Sequence, residues 1–230
     1  MKTLKAGEFT LTLDPPLIMG IVNVTPDSFS DGGRYGTTQA AIAHANKLVE
    51  EGAGIVDVGG ESSRPGAEPV SVEEELGRIV PVVKAIAGLG VPVSVDTVKS
   101  EVMQAAVDAG ACMINDIDAL QGAGALRVAS AARVAVCLMH KRGAPRTMQM
   151  NPQYADVVAE VRSFLASRAE LVMAAGVGAE RIAIDPGFGF GKSVAHNVEL
   201  LARLGEIASL GFPVLAGLSR KSTLGELTGR

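Results

Sequence analysis

The chain has 230 residues, of which 47% are hydrophobic, and its 21 Lys and Arg against 25 Asp and Glu give a formal net charge of -4. This length and apolar content suffice for one large core, so we expect a single domain over residues 1–230. Mixed, slightly acidic charge argues against nucleic acid or an anionic membrane as the main partner, and a small-molecule ligand is expected instead.

The amino-terminal segment and the cysteines indicate the cellular compartment of the protein. Residues 1–16 carry several charges and no long apolar run, so no signal peptide is predicted, and no stretch reaches the ~18 apolar residues of a membrane span. Cys112 and Cys137 each lie in a short apolar run, which favours reduced core residues over a disulfide or a metal pair. We therefore predict a cytoplasmic protein.

Strand and helix patterns alternate along the chain. Phe9, Leu11 and Leu13 alternate with threonines, which predicts an amino-terminal hairpin within residues 1–16, at the bottom of the fold. Continuous apolar runs typical of strands covered on both faces follow at 17–22, 55–58, 91–95, 112–114, 134–139, 182–184 and 214–216. Between them lie segments of helical composition, including 38–51, 71–87, 100–109 and 154–175.

Seven such βα units predict a parallel sheet, either a closed (β/α)8 barrel or an open doubly wound sheet. Polar or glycine residues follow nearly every strand, and a barrel brings all strand ends round one centre, whereas an open sheet uses few of them. We therefore predict a (β/α)8 TIM-type barrel. After residues 214–216 only a helix start remains, so within this chain the barrel is expected to lack its eighth βα unit and to expose an edge.

Carboxylates in or at the ends of strands are the first candidate site residues. Asp57, Asp96, Asp116 and Asp185 all have this position, and each alone could be a helix cap or a satisfied structural group. Asp96 and Asp185, with the amide of Asn115, could bind a planar heterocycle that carries an amino group and ring N–H donors. A dicarboxylate metal site is the alternative, although its further ligand is not evident.

The loops after the last two strands contain the candidate cations. The glycine-rich segment 185–192 and the run Gly217-Leu218-Ser219-Arg220-Lys221-Ser222 are typical of anion-binding loops at the strand ends of barrels, where Ser219 and Arg220 suit phosphate. Lys221 could be a surface charge, a Schiff-base nucleophile or a fixed cation, and we favour the fixed cation. Among the histidines only His140 ends a strand, and a satisfied polar role there is equally compatible with its position.

At this point the motifs resemble a known family. Met19 to Gly33, with Asn23-Val24-Thr25-Pro26-Asp27-Ser28-Phe29-Ser30-Asp31-Gly32-Gly33, and Asp57 to Ala67, with Gly59-Gly60-Glu61-Ser62-Ser63-Arg64-Pro65-Gly66, are similar to the two signatures of the dihydropteroate synthases. Val95-Asp96-Thr97, Ile114-Asn115-Asp116, the segment 185–192 and Ser219-Arg220-Lys221-Ser222 continue the resemblance in order. It covers nearly the whole chain and is far more specific than a lone glycine pattern.

The resemblance implies condensation of para-aminobenzoate with 6-hydroxymethyl-7,8-dihydropterin diphosphate, with Mg2+ as cofactor and often a homodimer. It implies that Asn23 binds the metal, that Asp96, Asn115, Asp185 and Lys221 hold the pterin, and that Asp96, Asp185 and Lys221 assist catalysis. The other implied substrate-binding residues are Phe29, Ser63, Arg64, Pro65, Phe190, Ser219, Arg220 and Ser222. The family's Arg-x-His on the eighth strand has no counterpart in this chain, so weakened anion binding is expected.

The implied chemistry explains why no histidine–carboxylate pair is evident. An aniline-type amine is neutral at pH 7 and already nucleophilic, so it needs no strong general base, whereas the departing diphosphate needs cations. A pterin-binding barrel of the methyltransferase type is the competing hypothesis, since it shares the ring-binding Asp and Asn and handles no diphosphate. A noncatalytic barrel is a third interpretation.

Overall fold

This computed structural model describes residues 2–25, 33–62, 69–143, 148–149 and 152–219, together with residues 221, 225 and 229; for residues 33–37 it describes the backbone alone. Strands and helices alternate throughout these residues, as predicted. The strands are β1 Thr3–Ala6, β2 Phe9–Thr12, β3 Met19–Asn23, β4 Ile55–Gly59, β5 Val93–Asp96, β6 Met113–Asp116, β7 Ala135–Met139 and β8 Ile182–Asp185.

The strands β3 to β8 form one parallel sheet in which each strand pairs with the next one along the chain. This order is that of consecutive βα units in a barrel. A helix precedes every later strand of this sheet, and its bounds agree with the sequence patterns to within a few residues, the first helix extending further at its start. The helices are α1 Gly33–Glu50, α2 Val72–Ala87, α3 Ser100–Asp108, α4 Ala125–Ala131, α5 Val157–Ala174, α6 Val194–Ala202 and α7 Leu204–Ala208, with a short 3-10 helix at Ala179–Arg181.

The sheet is buried on both faces, which explains its continuous apolar runs. All five residues of β4 and of β7 are buried. One face of the strands, including Val56 and Val58, packs against the apolar sides of the helices in the main core. The other face, including Ile55 and Cys137, packs in a second cluster with the amino-terminal hairpin. Alternate residues of each strand therefore point outward to the helices and inward to the barrel.

The hairpin predicted at the amino terminus is confirmed. The strands β1 and β2 pair antiparallel, and Leu4 and Leu11 are buried in one apolar cluster with Cys112, which directly precedes β6. The N–H of Gly7 donates to the carbonyl of Arg133, just before β7, at 3.1 Å. The hairpin thus covers the amino ends of the barrel strands, opposite the polar strand ends. Both cysteines are buried free thiols, as predicted.

The predicted strand at 214–216 is represented by a single parallel bridge, in which Val214 lies beside Ile184 of β8. Its backbone bonds are those of a parallel neighbour, because Ile184 N donates to Pro213 O and Leu215 N donates to Ile184 O, each at 2.9 Å. At the opposite edge of the sheet, β3 pairs with β4 alone among the described residues, and Ile21 is 53% exposed there. The predicted exposed edge is therefore present in the described part of the chain.

Side-chain caps begin several helices and account for one histidine. Ser71 accepts from Glu74 N at the start of α2, and Asp156 accepts from Val158 N and Ala159 N at the start of α5. Ser193 and His196 form a reciprocal capping box at the start of α6, so His196 has a structural role. Within the described residues, no helix is long and apolar enough to cross a membrane.

Candidate active site

The carboxyl ends of the strands bring three of the predicted site residues, Asn23, Asp96 and Asn115, into one row. In the strand register Asn23 lies beside Gly59, Gly59 beside Asp96, and Asp96 beside Asn115. Gly59 leaves the space between its neighbours open: a Cβ at this position would lie 3.6 Å from Asp96 Oδ2 and 3.7 Å from Asn23 Oδ1. Oxygen atoms from β3 and β5 therefore face the same gap above β4.

Asn115 is oriented by a carboxylate from a strand two positions away. Its Nδ2 donates to Oδ2 of Asp57 at 3.0 Å, and Asp57 is only 5% exposed. Burial raises the pKa of Asp57, while the nearby Ser94 hydroxyl and the hydrogen bond from Asn115 oppose the rise. One N–H of Nδ2 is used by Asp57, and this bond fixes the orientation of the amide, whose Oδ1 can accept from a ligand. Asp57 is thus a support for Asn115, a role that the sequence did not reveal.

Asp116, in contrast, belongs to a turn rather than to the site. Its two carboxylate oxygens accept from the N–H groups of Asp118 and Leu120, at 2.7 and 2.8 Å. These bonds hold a turn in which Ala119 and Leu120 have positive φ. Burial raises the pKa of Asp116 to about 6, and the backbone bonds oppose the rise. Of the four carboxylates, Asp116 is therefore the structural one.

This raised pKa predicts a pH-dependent stability that Asp116→Asn removes. A carboxyl whose pKa is higher in the folded state stabilises the fold below its unfolded pKa, and this contribution is lost as pH rises through about 6. Relative to the variant, the wild type should lose about 2 kcal/mol of unfolding free energy between pH 4.5 and 7.5. Urea unfolding at several pH values measures this difference. Parallel pH profiles of the two proteins would contradict the assignment.

Asp96 and Asp185 are the two carboxylates at the mouth of the barrel, by which we mean the opening at the carboxyl ends of the strands. Burial, and then repulsion by Asp57 and Asp116, raises the pKa of Asp96 well above its usual range. Burial also raises the pKa of Asp185, although its Oδ1 accepts from Gly187 N at 2.6 Å and Lys221 lies near. The mouth therefore favours ligands that carry N–H donors or positive charge.

Lys221 lies beside Asp185 and is held by the glycine-rich loop, which we define as residues 186–192. Its Nζ donates to the carbonyl of Phe188 and lies 4.5 Å from the ring centre of Phe190. Burial lowers the pKa of Lys221, and the nearby charge of Asp185 opposes this change. A lysine held by a carbonyl and an aromatic ring, and within the electrostatic influence of a carboxylate, fits the fixed cation favoured from the sequence.

His140, which directly follows β7, is a satisfied buried residue. Its Nδ1 lies 3.0 Å from Nζ of Lys192, and its ring packs edge-on against Phe164 at 5.1 Å between centres. Burial, with the charges of Lys192 and Arg142, lowers the pKa of His140 to about 3. The imidazole is therefore neutral at pH 7, and the structural alternative for His140 is the one that its contacts support.

Some of the remaining predicted site residues lie in the part of the chain that the structure describes, and others lie outside it. Phe190 is half-buried beside Lys221, Ser219 is exposed, and Asn23 is exposed at the end of β3. Several predicted residues lie outside the described part of the chain: Phe29, Ser63, Arg64, Pro65, Arg220 and Ser222. The sequence missed the buried Lys192, which it had treated as one more part of an anion loop. Its place in a glycine-rich loop directly after a strand was the available signal.

The fold and these residues define a class: a parallel α/β barrel enzyme with a polar, carboxylate-rich pocket for a small molecule at its strand ends. Residues 19–230 match the family model described as "Pterin binding enzyme". The dihydropteroate synthase of Neisseria meningitidis serogroup B is 52% identical over 231 residues, which cover 98% of this chain and 81% of that protein.

Solved structures agree in fold. The Xanthomonas albilineans dihydropteroate synthase with 4-aminobenzoic acid has a TM-score of 0.93 and 56% identity, covering 99% of this chain and 82% of that one. The same enzyme in complex with 7,8-dihydropteroate has a TM-score of 0.88 and 53% identity, with the same coverage of both chains. This chain belongs to the dihydropteroate synthase family of pterin-binding enzymes. The synthase hypothesis from the motifs is confirmed, and the chain is a transferase with a TIM-barrel fold.

Proposed function

We propose that this chain joins 6-hydroxymethyl-7,8-dihydropterin diphosphate to para-aminobenzoate, which yields dihydropteroate and pyrophosphate. The observation that carries the proposal is the set of complementary polar groups at the strand ends. Asp96 and Asp185 offer acceptors, Asn115 offers an oriented amide, and Lys221 offers a fixed cation. A pterin ring has both the N–H donors and the carbonyl oxygen that such a set recognises.

In the reaction, the amine nitrogen of para-aminobenzoate forms a bond to the methylene carbon of the pterin. The carbon–oxygen bond to the diphosphate breaks, its electron pair leaves with the diphosphate, and the amine releases one proton to solvent. Positive charge develops on the methylene and the ring as the diphosphate departs. Burial raises the pKa of both Asp96 and Asp185, and a positive charge that develops beside them favours their ionised forms. The two groups are therefore placed to stabilise that charge in a desolvated site.

Lys221, held by the carbonyl of Phe188, completes the proposed site for the pterin ring. The ammonium beside Asp185 can donate to the acceptor atoms of the ring, and its contact with Phe188 O restricts its position. Because the amine nucleophile is neutral at pH 7, the site needs no residue that acts as a strong base. His140 is buried and neutral at pH 7, which is compatible with a reaction that needs no strong general base.

The residues present fit a Mg2+ ion that arrives with the diphosphate. Among the described residues, no group of three His, Cys, Asp or Glu side chains could hold a metal. Asn23 Oδ1 instead faces the open gap above Gly59, and Mg2+ commonly takes one or two protein oxygens and completes its shell with substrate phosphates and water. When bound, the ion neutralises charge on the departing diphosphate. Asn23 is the residue that we propose to hold it.

The function is tested by following pyrophosphate. Purified protein should release pyrophosphate only when pterin diphosphate, para-aminobenzoate and Mg2+ are all present, and dihydropteroate should form in equal amount. Calorimetry with tetrahydrofolate and with pyrophosphate tests the methyltransferase alternative. Binding of tetrahydrofolate without any response to pyrophosphate, together with no turnover, would favour that alternative and overturn the proposal.

Asn23→Ala should weaken the metal site without removing the pterin site. We expect the Mg2+ concentration for half-maximal pyrophosphate binding to rise about tenfold, the equivalent of one charge-assisted contact of about 1.4 kcal/mol. Calorimetry of pyrophosphate at graded Mg2+ concentrations measures this, and Asn23→Asp, which keeps an oxygen ligand, is the matched control. Equal Mg2+ dependence in the wild type and Asn23→Ala would remove Asn23 from the site.

The homodimer and the cytoplasmic location predicted from the sequence stay predictions. Sedimentation of the purified protein over a range of concentrations tests the first of these.

A further inference from the structure

The glycine-rich loop after β8 is held almost entirely by side chains. Each of the five consecutive carbonyls from residue 187 to residue 191 accepts a side-chain hydrogen bond. Four residues donate these bonds: Lys192 to Gly187 and Phe190, Lys221 to Phe188, Gln149 to Gly189, and Tyr154 to Gly191. Since a loop lacks the backbone ladder of a strand or helix, these donors determine its conformation.

Lys192 is the buried member of this set. It is only 3% exposed, and its Nζ lies 2.9 Å from Gly187 O and 3.1 Å from Phe190 O. The same Nζ lies 3.0 Å from His140 Nδ1 and 3.2 Å from His140 O. Three N–H donors thus meet four acceptors drawn from the loop and from the end of β7. Burial lowers the pKa of Lys192 to about 7, and acceptors this close are what permit its amino group to be buried.

The two loop carbonyls that Lys192 holds lie on either side of the one that binds Lys221. Phe188 O, which accepts from Lys221, lies between the fixed carbonyls of Gly187 and Phe190, and the Phe190 ring lies 4.5 Å from the same Lys221 ammonium. Gly187 N in turn donates to Asp185 at 2.6 Å. Fixing Gly187 and Phe190 therefore restrains the Asp185 carboxylate and the Lys221 ammonium.

We propose that Lys192 is a positioning residue for the pterin substrate. It touches no substrate itself, and it holds the loop backbone in the conformation that presents Asp185 and Lys221 to the ring. The inference rests on the proposed function, because it assumes that the ring binds between those two side chains. A purely structural lysine would instead affect the stability of the protein and leave the affinity of its folded form for pterin unchanged.

Lys192→Met tests the inference, because methionine matches the length of the side chain and removes every N–H donor. We expect the Kd of the folded variant for 6-hydroxymethyl-7,8-dihydropterin diphosphate to rise roughly tenfold, measured by calorimetry. The KM for this substrate should rise by a similar factor, with a smaller change in kcat. Lys192→Gln, which keeps an N–H donor group on a shorter chain, should give an intermediate Kd.

Arg181→Met is the matched control. Arg181 also holds two carbonyls, donating to Ala132 O at 2.7 Å and to Gly176 O at 3.3 Å, and it lies at the opposite end of β8. This variant should lower the Tm and leave the pterin Kd at the wild-type value.

The outcomes separate the two proposals. A wild-type chain that binds no pterin overturns the proposed function and this inference with it. A wild-type chain that binds pterin, with folded Lys192→Met or Lys192→Gln binding equally well, overturns the inference alone. If neither Lys192 variant folds where Arg181→Met does, Lys192 is a stability residue and the inference is again overturned.

Discussion

Asp185→Asn should lower kcat/KM for the pterin diphosphate by about 100-fold or more, with a small change in Tm. Asparagine keeps the shape of the side chain and an oxygen that can accept from Gly187 N, so the local backbone is preserved. The variant lacks the negative charge that faces Lys221 and the developing charge of the pterin. Losing one partner of a buried charged group costs about 2–5 kcal/mol, which corresponds to an effect of this size.

Asp116→Asn provides the comparison for this result. Asp116 is also a buried carboxylate in a strand of the same sheet, and its oxygens bond only to the turn that follows β6. Its replacement should alter stability and leave kcat/KM within a few-fold of the wild type. Steady-state assays of both variants, with Tm measured in parallel, distinguish two effects on kcat/KM. One is the loss of a carboxylate charge at the mouth of the barrel, and the other is the replacement of any buried carboxylate. An Asp185→Asn enzyme of nearly normal kcat/KM would remove Asp185 from the proposed chemistry.

Gly187→Ala should destabilise the protein by about 4 kcal/mol, and the Tm should fall by about 10 °C. A Cβ at this position would lie 1.9 Å from His140 O, so the glycine-rich loop would have to move away from the end of β7. The residue also has a φ of +69°, which costs an alanine roughly 1 kcal/mol even without a clash. Since the loop holds Lys221, activity should be lost together with stability.

Gly90→Ala separates the cost of a positive φ from the cost of the clash with His140. Gly90 has a similar φ of +74°, and a Cβ there would meet no atom within 4 Å. Only the conformational cost remains, so a loss of about 1 kcal/mol and normal activity are expected. Thermal and urea unfolding of both variants measures the difference. Equal losses would show that the contact between the loop and β7 contributes little.

Much of the site could be predicted because its residues follow strands that are easy to recognise. A parallel sheet covered on both faces produces continuous apolar runs, and the residue that ends such a run lies at the same edge as its neighbours. Asn23, Asp96 and Asn115 could therefore be placed together, and in the strand register they occupy one row. The specific motifs then indicated the family, which the comparisons confirmed.

The sequence could not divide the four carboxylates among their roles. Asp57, Asp96, Asp116 and Asp185 share the same kind of position, and their roles differ only through contacts made by residues far apart in the chain. Asp57 accepts from Asn115, which is 58 residues away, whereas Asp116 accepts from its own turn. Such differences depend on side-chain direction and on hydrogen-bond geometry, which a pattern of residue types does not contain.

The sequence by itself determined the alternation of strands and helices, the buried thiols, the hairpin and the end of the sheet where the polar residues gather. These follow from local apolar patterns and from the direction of parallel strands. Only the tertiary structure decided the role of Lys192. In the sequence, a lysine in a glycine-rich loop cannot be distinguished from one that binds an anion. Its burial beneath Gly187 and Phe190, with His140 on the other side, made it a support for Lys221 instead. The physical reason is that a buried amino group must find its hydrogen-bond acceptors nearby, and the packing of two loops supplies them.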